Sequence, residues 1–189
     1  MQKLITASSS FLLMIDMQER LLPAIFNKDE IVKNSVMILT AARELSVPAI
    51  VSEQYPKGLG ATIPELKNLI PDGSTMMEKV EFSCCSAPSF GDSFLNLNFS
   101  SGKKDTVILF GVETHVCVLA TAMQLIEKYN LNVVIAADAC GSRTEKNHSL
   151  ALEAAKSTGC LVVPAETVVY QMLEKAGTPQ FKALQPLLK

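Results

Sequence analysis

The sequence predicts an α/β protein, a three-layer, doubly wound and Rossmann-like fold with a parallel central sheet. Short apolar runs alternate with longer stretches of helical periodicity, which is the pattern of strands connected by helices. The runs are apolar at successive positions, so both faces of each strand would be buried, as in a parallel sheet covered by helices. With 189 residues, 48% of them hydrophobic, we predict a single domain that spans residues 1–189.

Six short apolar runs are the predicted strands. The first, FLLMID, is continuous and ends in an acid, whereas the third, TMMEKV, is a weaker candidate; alternation around Lys79 lets this side chain face either way. In chain order the six runs are FLLMID, VPAIVS, TMMEKV, DTVILF, NVVIAAD and CLVV, at residues 11–16, 47–52, 75–80, 105–110, 132–138 and 160–163. Helical periodicity predicts helices at 31–46, 114–129, 144–157 and 167–176. Segment 95–105 is predicted to be a helix end and a surface turn.

Composition and charge exclude several classes of protein. The formal charge is -2, from 17 basic and 19 acidic residues mixed along the chain, so we expect no binding of nucleic acid or of an anionic membrane. No apolar run reaches the roughly 18 residues of a membrane span, and MQKLITASSS lacks the apolar core of a signal peptide. Five cysteines, an odd number, indicate reduced thiols. We therefore predict a cytoplasmic protein, and a mitochondrial matrix location fits equally well.

Three residues at predicted strand ends form a candidate catalytic group. Ligands of open parallel sheets bind beyond the carboxyl ends of the strands. Asp16 ends an otherwise apolar strand, a costly place for an isolated acid, and Lys79 lies near the end of the third strand. Cys117 follows the fourth strand, about three residues into a helix for which Thr114 is the predicted N-cap. A helix N-terminus and a nearby lysine favour a thiolate, and an aspartate can take the thiol proton.

Five motifs in this order resemble the isochorismatase-like cysteine hydrolases, a superfamily that includes nicotinamidases and carbamoylsarcosine amidases. The motifs are LLMIDMQ, SEQYPKGLGATIPEL, EKVEFSC, LFGVETHVCV and ADACGSR, and the resemblance spans residues 10–177. It implies a homo-oligomer whose subunits have a six-stranded parallel sheet. It also implies a catalytic triad in which Asp16 is the general base, Cys117 is the nucleophile that forms a thioester, and Lys79 tunes both of them.

The resemblance further implies an oxyanion hole next to the nucleophile. It places a cis peptide bond between Val112 and Glu113, which would turn the Glu113 N–H toward the substrate. Together with the N–H of Cys117, this group would stabilise the oxyanion, typically the largest catalytic contribution in acyl transfer.

Two departures from the family narrow the expected chemistry. Nicotinamidases bind a metal through an Asp-x-His and a further histidine after the second strand, whereas this chain has SEQYP there. Its only histidines are His115 and His148, with no cysteine pair at ligand spacing near either. We predict no metal and no other cofactor, and nicotinamide is not the expected substrate. Family members that cleave isochorismate lack the cysteine, so the presence of Cys117 predicts hydrolysis of a small amide or related carbonyl compound.

Six side chains are candidates for a substrate pocket: Gln18, Phe26, Gln54, Tyr55, Phe82 and His115. Packing in the core is the alternative role for the aromatic residues, and solvent exposure is the alternative for the two glutamines. Arg143 lies in the loop after the fifth strand. We expect it to form a salt bridge that supports this loop or a subunit interface.

Other functions stay open on the sequence. Cys117 taken alone is also consistent with a small buried hydrophobe, and Asp16 with a cap of the helix that follows. The whole chain is also consistent with a non-enzymatic oligomer that binds a metabolite or a partner protein. Cys84 and Cys85 suggest a redox pair, but adjacent cysteines form a disulfide only with strain, so local packing is favoured.

The C-terminal segment 166–189 predicts assembly. After the last predicted strand it carries many apolar residues: Val168, Val169, Met172, Leu173, Phe181, Leu184, Leu187 and Leu188. A large exposed apolar stripe is an aggregation hazard, and an isologous dimer is the commonest closed arrangement, so we predict at least a dimer. The alternative is that this tail folds back on its own subunit.

Overall fold

Six parallel strands form one sheet in the computed structural model, which describes residues 4–188 except the side chains of residues 99 and 101. The strands are β1 Ser10–Ile15, β2 Ala49–Gln54, β3 Thr75–Lys79, β4 Thr106–Val112, β5 Asn132–Gly141 and β6 Leu161–Val163. Their order across the sheet is β3-β2-β1-β4-β5-β6, and every neighbouring pair is parallel. The predicted doubly wound α/β fold with a six-stranded parallel sheet is confirmed.

Helices flank this sheet. They are α1 Lys28–Glu44, α2 Pro56–Leu59, α3 Pro64–Lys67, α4 Pro88–Ser101, α5 Leu119–Tyr129, α6 Glu145–Ser157, α7 Ala165–Leu173 and α8 Pro179–Leu184. A π-helical turn, Thr114–Val118, leads directly into α5. The four predicted helices correspond to α1, to the π-helical turn with α5, to α6 and to α7.

Helix α4 is the largest difference from the sequence prediction, which places only a helix end and a turn at 95–105. Its sequence PSFGDSFLNLNFSS is rich in serine, asparagine and glycine, which are poor helix formers. Phe90 and Leu97 are nonetheless buried, and the ring of Phe90 meets that of Tyr129 edge to face, with 5.3 Å between the centroids. Tertiary burial therefore stabilises a helix that local propensity does not predict.

The winding of the chain reverses between β1 and β4. From β1 the chain moves outward through β2 to β3, then returns to the other side of β1, where β4, β5 and β6 follow. A crevice forms at the carboxyl ends of the two central strands because their connections leave in opposite directions. Gly111 near the end of β4 is so close to β1 that a Cβ there would overlap the carbonyl oxygen of Ile15. The two strands can approach this closely only because the residue is glycine.

The C-terminal segment folds back on its own chain. Val168, Val169 and Met172 on α7 are buried, as is Leu184 on α8, and both helices pack against α1. The apolar residues that were expected to form an exposed stripe are thus largely inside the subunit, so the tail gives no argument for assembly. The homo-oligomer stays a prediction. Within residues 4–188, no helix has the length and hydropathy needed to span a membrane.

Candidate active site

The carboxyl ends of β1, β3 and β4 bring Asp16, Lys79 and Cys117 together. The Lys79 ammonium donates to Asp16 Oδ2 at 2.7 Å, and Lys79 Nζ lies 3.7 Å from Cys117 Sγ. The side chains of the ion pair have no exposed surface, and Cys117 is buried. The strand register explains this meeting, since Gln54 at the end of β2 pairs with Lys79 while Ser52 pairs with the residue before Asp16.

Asp16 has a left-handed backbone conformation, with φ at 54°. Aspartate visits this region more readily than most residues, but it still costs about 1–2 kcal/mol. Two hydrogen bonds hold the conformation: the Asp16 N–H donates to the Ser52 carbonyl at 3.1 Å, and the Gln18 N–H donates to the Asp16 carbonyl at 2.8 Å. Strained residues of this kind cluster at functional sites.

The three side chains influence each other's protonation. Burial raises the pKa of the Asp16 carboxyl, against the opposing charge of Lys79 and hydrogen bonds from Lys79 and Ser52. Desolvation disfavours the Lys79 ammonium, but the attraction of Asp16 and of the nearby thiols outweighs it and raises the pKa of Lys79. Desolvation and the Asp16 charge raise the pKa of Cys117 to about 12. Burial and the Asp16 carboxylate thus oppose the thiolate that Lys79 and the helix N-terminus favour, and the activation of Cys117 stays a prediction.

Ser52 and Cys84 complete the buried cluster, although neither was predicted to contact the catalytic group. The Ser52 hydroxyl donates to Asp16 Oδ1 at 2.7 Å, and the charges of Asp16 and Lys79 both influence the pKa of the Cys84 thiol. Both residues are buried. The sequence signal for Ser52 is a single hydroxyl late in an apolar strand that pairs with the strand ending at Asp16.

Gln18 and Gln54 are engaged by the protein itself. Gln54 Oε1 accepts from Lys79 Nζ at 2.5 Å, and Gln54 Nε2 donates to the Val80 carbonyl at 2.9 Å. Gln18 donates from Nε2 to the carbonyls of Gln54 and Gly60, and its Oε1 accepts from the Gln54 N–H. Gln18 has no exposed surface, so the alternative of solvent exposure is wrong for this residue. These bonds fix Lys79 and the chain around it.

The loop that follows β4 is anchored by Arg143. The peptide bond between Val112 and Glu113 is cis. The Arg143 guanidinium donates to the Glu113 carboxylate at 2.6 Å, and this hydrogen bond holds the pKa of Glu113 below its ordinary value in spite of burial. The predicted Thr114 N-cap is wrong: Glu113 occupies the N-cap position, and the Thr114 hydroxyl instead bonds to His148 Nδ1 at 2.9 Å.

The three aromatic candidates for the pocket are exposed. Tyr55, Phe82 and Phe26 have 54%, 65% and 46% of their surface accessible, so core packing is wrong for all three. The Tyr55 N–H donates to the Lys79 carbonyl at 2.8 Å, which places Tyr55 beside the end of β3, and Phe82 follows three residues after Lys79. The contact of these residues with a substrate stays a prediction.

The two histidines lie in a polar cluster at the π-helical turn: His115 is part of the turn, and His148 of α6 bonds to its Thr114. His115 is partly buried, and its Nδ1 lies 3.0 Å from Ser142 Oγ. In the SEQYP segment, Glu53 accepts from both the N–H and the hydroxyl of Thr62. Across the described part of the chain, no three His, Cys, Asp or Glu side chains come together in a way that could hold a metal ion. A metal-free site and a substrate contact for His115 both stay predictions.

Cys84 and Cys85 are free thiols packed against α5. The Cys84 N–H donates to Thr121 Oγ1 at 2.9 Å, and Cys85 Sγ lies 3.9 Å from the Thr121 carbonyl oxygen. Burial raises the pKa of Cys84 to about 11 and that of Cys85 to about 12. The thiolate is the reactive form in disulfide exchange, so this environment disfavours a redox pair.

Comparison with known proteins identifies related chains. Residues 10–167 match the family model described as the isochorismatase domain. Isochorismatase domain-containing protein 2 of Danio rerio is 36% identical over 184 residues, which are 97% of this chain and 89% of that protein. The Rattus norvegicus protein of that name is 36% identical over 181 residues, 96% of this chain and 81% of the relative. The solved structure of MAR1 ribonuclease from Caenorhabditis elegans is 35% identical, with a TM-score of 0.89, and the match covers 98% of this chain and 92% of that one.

Proposed function

The chain belongs to the isochorismatase family, and on that premise we propose that it is a metal-independent cysteine hydrolase that cleaves a small amide or related carbonyl compound. The observation that carries the proposal is the buried ion pair of Asp16 and Lys79 beside the thiol of Cys117. Desolvating two charges costs several kcal/mol, and apolar residues of similar volume often serve stability as well or better. Chemistry explains this pair more directly than stability does.

In the proposed reaction Cys117 attacks the substrate carbonyl. Asp16 takes the thiol proton as the carbon–sulfur bond forms, and the backbone N–H groups of Glu113 and Cys117 donate to the oxyanion. The tetrahedral intermediate collapses, and the amine leaves with the proton from Asp16. Water, deprotonated by Asp16, then hydrolyses the thioester and restores the thiol.

The protonation states of the site suit this sequence of steps. Burial makes the Asp16 carboxylate more basic than an exposed one, which brings a base closer to working near neutral pH. Because the pKa of Cys117 is about 12, the thiol waits as a neutral group, and its proton moves only as attack begins. Lys79 keeps its charge beside both residues and stabilises the negative charge as it passes from one to the other.

We further propose that Tyr55, Phe82, Phe26 and His115 contact the substrate. The three aromatic side chains are exposed near the carboxyl ends of the strands, and such amphipathic or apolar surfaces bind small carbonyl compounds with little charge. Gln54 acts through Lys79 rather than on the substrate, because its side-chain oxygen is held by the ammonium.

One relative supports a different activity. The nematode protein with 35% identity is described as a ribonuclease, so RNA is a second candidate substrate. The present chain has a formal charge of -2, which is unfavourable for a polyanion. A non-enzymatic binding protein of the same fold is the third candidate.

The test is a screen of small amides, with single-stranded and double-stranded RNA in the same panel. Wild-type protein and Cys117→Ala are assayed in parallel, and acid-quenched samples are examined by mass spectrometry for an acyl adduct. We expect turnover of at least one amide and an adduct on Cys117 in wild-type protein only. Cleavage of RNA that persists in Cys117→Ala would contradict the cysteine mechanism, and the absence of turnover on every compound would favour the binding protein.

A further inference from the structure

We propose that Ser52 is a positioning residue that orients the Asp16 carboxylate for proton transfer, an inference that rests on the proposed role of Asp16 as the base. Ser52 is in β2, paired with Ile15 of β1. Its hydroxyl donates to Asp16 Oδ1 at 2.7 Å, and its carbonyl oxygen accepts the Asp16 N–H at 3.1 Å. One residue therefore holds Asp16 at both its side chain and its backbone.

The two oxygens of the Asp16 carboxylate have different partners. Oδ1 accepts from the Ser52 hydroxyl, and Oδ2 accepts from the Lys79 ammonium at 2.7 Å. A hydrogen bond at each oxygen restrains the rotation of the carboxylate about its Cβ–Cγ bond more tightly than a single bond does. Proton transfer requires the reacting atoms to be aligned within hydrogen-bond distance, so this rotation decides how the carboxylate meets the thiol of Cys117.

Packing alone does not explain a serine at this position. Ser52 has no exposed surface and follows three fully buried apolar residues, 49–51, so an apolar residue would avoid desolvating a hydroxyl. Two other buried serines, Ser10 and Ser35, have hydroxyls without a hydrogen-bond partner among the residues that the structure describes. Ser52 differs from both because its hydroxyl donates to a charged group inside the catalytic cluster.

The test is the pH profile of Cys117 alkylation by iodoacetamide, measured on the full chain by mass spectrometry. Ser52→Ala is compared with the isosteric pair Ser52→Thr and Ser52→Val, which differ only in the hydroxyl. The titratable and charged groups that face Asp16 are Lys79 from β3, Cys84 from the turn after β3 and Cys117, and all of them are unchanged in these variants. Ser10→Ala is the matched control, because it removes a buried hydroxyl without a partner.

Loss of the Ser52 hydroxyl removes a hydrogen bond that favours the carboxylate form of Asp16. We therefore expect the acid limb of the alkylation profile to move to higher pH, by about one pH unit, in the alanine and valine variants. The threonine variant and Ser10→Ala should keep the wild-type limb. With a hydrolysed amide in hand, kcat should fall about tenfold in the alanine and valine variants with KM nearly unchanged, because the lost bond acts on the base.

If the role of Ser52 is only structural, its replacement should lower the unfolding midpoint of the protein and leave the acid limb of the alkylation profile at the wild-type pH. The inference would be overturned if the acid limb lay at the same pH in Ser52→Thr as in Ser52→Ala or Ser52→Val. Either of the last two variants serves for this comparison, provided that it folds. If the acid limb shifts but the wild-type protein turns over no amide, the positioning role of Ser52 is supported and the proposed hydrolase activity is contradicted. If the wild-type protein turns over an amide but the acid limbs of all variants coincide, the hydrolase activity is supported and the positioning role is contradicted.

Discussion

Asp16→Asn should have two opposite effects on Cys117: it should abolish hydrolysis and yet make the thiol easier to ionise. In the structure the Lys79 ammonium lies 2.7 Å from Asp16 Oδ2 and 3.7 Å from Cys117 Sγ. The negative charge of Asp16 raises the pKa of Cys117 and so opposes the attraction that Lys79 exerts on a thiolate. Asparagine has nearly the shape of aspartate but no charge, so the substitution leaves the Lys79 charge uncompensated.

The Coulomb energy at the second distance gives the order of magnitude of such charge interactions in this site. Two unit charges 3.7 Å apart interact by about 4–5 kcal/mol at an effective dielectric constant of about 20. A carboxylate at a comparable distance repels a thiolate by an energy of the same order, and a pKa change of one corresponds to about 1.4 kcal/mol, so loss of the Asp16 charge should lower the pKa of Cys117 from about 12 by at least about one unit. The amide of asparagine cannot accept the thiol proton, so turnover should be lost although the nucleophile ionises more readily.

The assay is the ultraviolet absorbance of the thiolate as a function of pH. The absorbance of the Asp16→Asn/Cys117→Ala double variant is subtracted from that of Asp16→Asn, which leaves the titration of the Cys117 thiol alone. Subtracting the absorbance of Cys117→Ala from that of the wild-type protein gives the reference titration. Asp29→Asn is the control, because the Asp29 side chain is 95% exposed and lies outside the site. Breaking a buried ion pair costs about 3–5 kcal/mol, so near-ultraviolet circular dichroism must first show that the variant is folded. A Cys117 pKa that stays near 12 or rises would refute this electrostatic account.

Four further outcomes are expected. Gly111→Ala should destabilise the fold by several kcal/mol, since its Cβ would overlap the Ile15 carbonyl. Gly91→Ala should stabilise the fold by about 1 kcal/mol, because Gly91 is in helix α4 and its Cβ would meet open space. Denaturant unfolding of both variants measures the two changes. Glu113 has a pKa below its ordinary value of 4.5 because of Arg143, so their interaction stabilises the protein above that pH and is lost as the pH falls through the lower folded-state value. Arg143→Ala should accordingly lose stability at pH 7 and progressively less as the pH falls through the folded-state pKa of Glu113, and a loss that does not change with pH would contradict the assignment. Elemental analysis of protein purified without added metal should find no stoichiometric zinc or iron. Light scattering should give a mass of at least two chains, and a mass of one 20.5 kDa chain would contradict the predicted dimer.

Local patterns in the sequence were enough to predict the sheet. A strand buried on both faces needs a continuous apolar run, so the runs of this kind, separated by helical periodicity, predict a parallel sheet without knowledge of any contact, whereas TMMEKV gives a weaker strand signal. Of helix α4 only the C-terminal end is predicted from the sequence: its serine, asparagine and glycine residues give a weak local helix signal, and contacts such as that of Phe90 with Tyr129 stabilise it.

The sequence also predicts that Asp16, Lys79 and Cys117 lie close together, because it places each of them at the end of a predicted parallel strand. In a parallel sheet the carboxyl ends of the strands lie at one edge, so residues far apart in the chain can be placed together once the strands are known. Their catalytic roles stay proposals, but their meeting at one edge is a consequence of strand order and register.

Only the tertiary structure decided the electrostatics and the supporting contacts of this site. The sequence favours a thiolate because it shows a lysine and a helix start; it cannot show how completely Cys117 is buried, and burial is the largest cause that raises the pKa of this thiol. It likewise cannot show which oxygen of Asp16 is met by Ser52 and which by Lys79. A pKa depends on desolvation and on charges a few ångströms away, and a hydrogen bond depends on rotamers. These quantities are set by side chains from several strands packed together, so periodicity and spacing along one chain do not determine them.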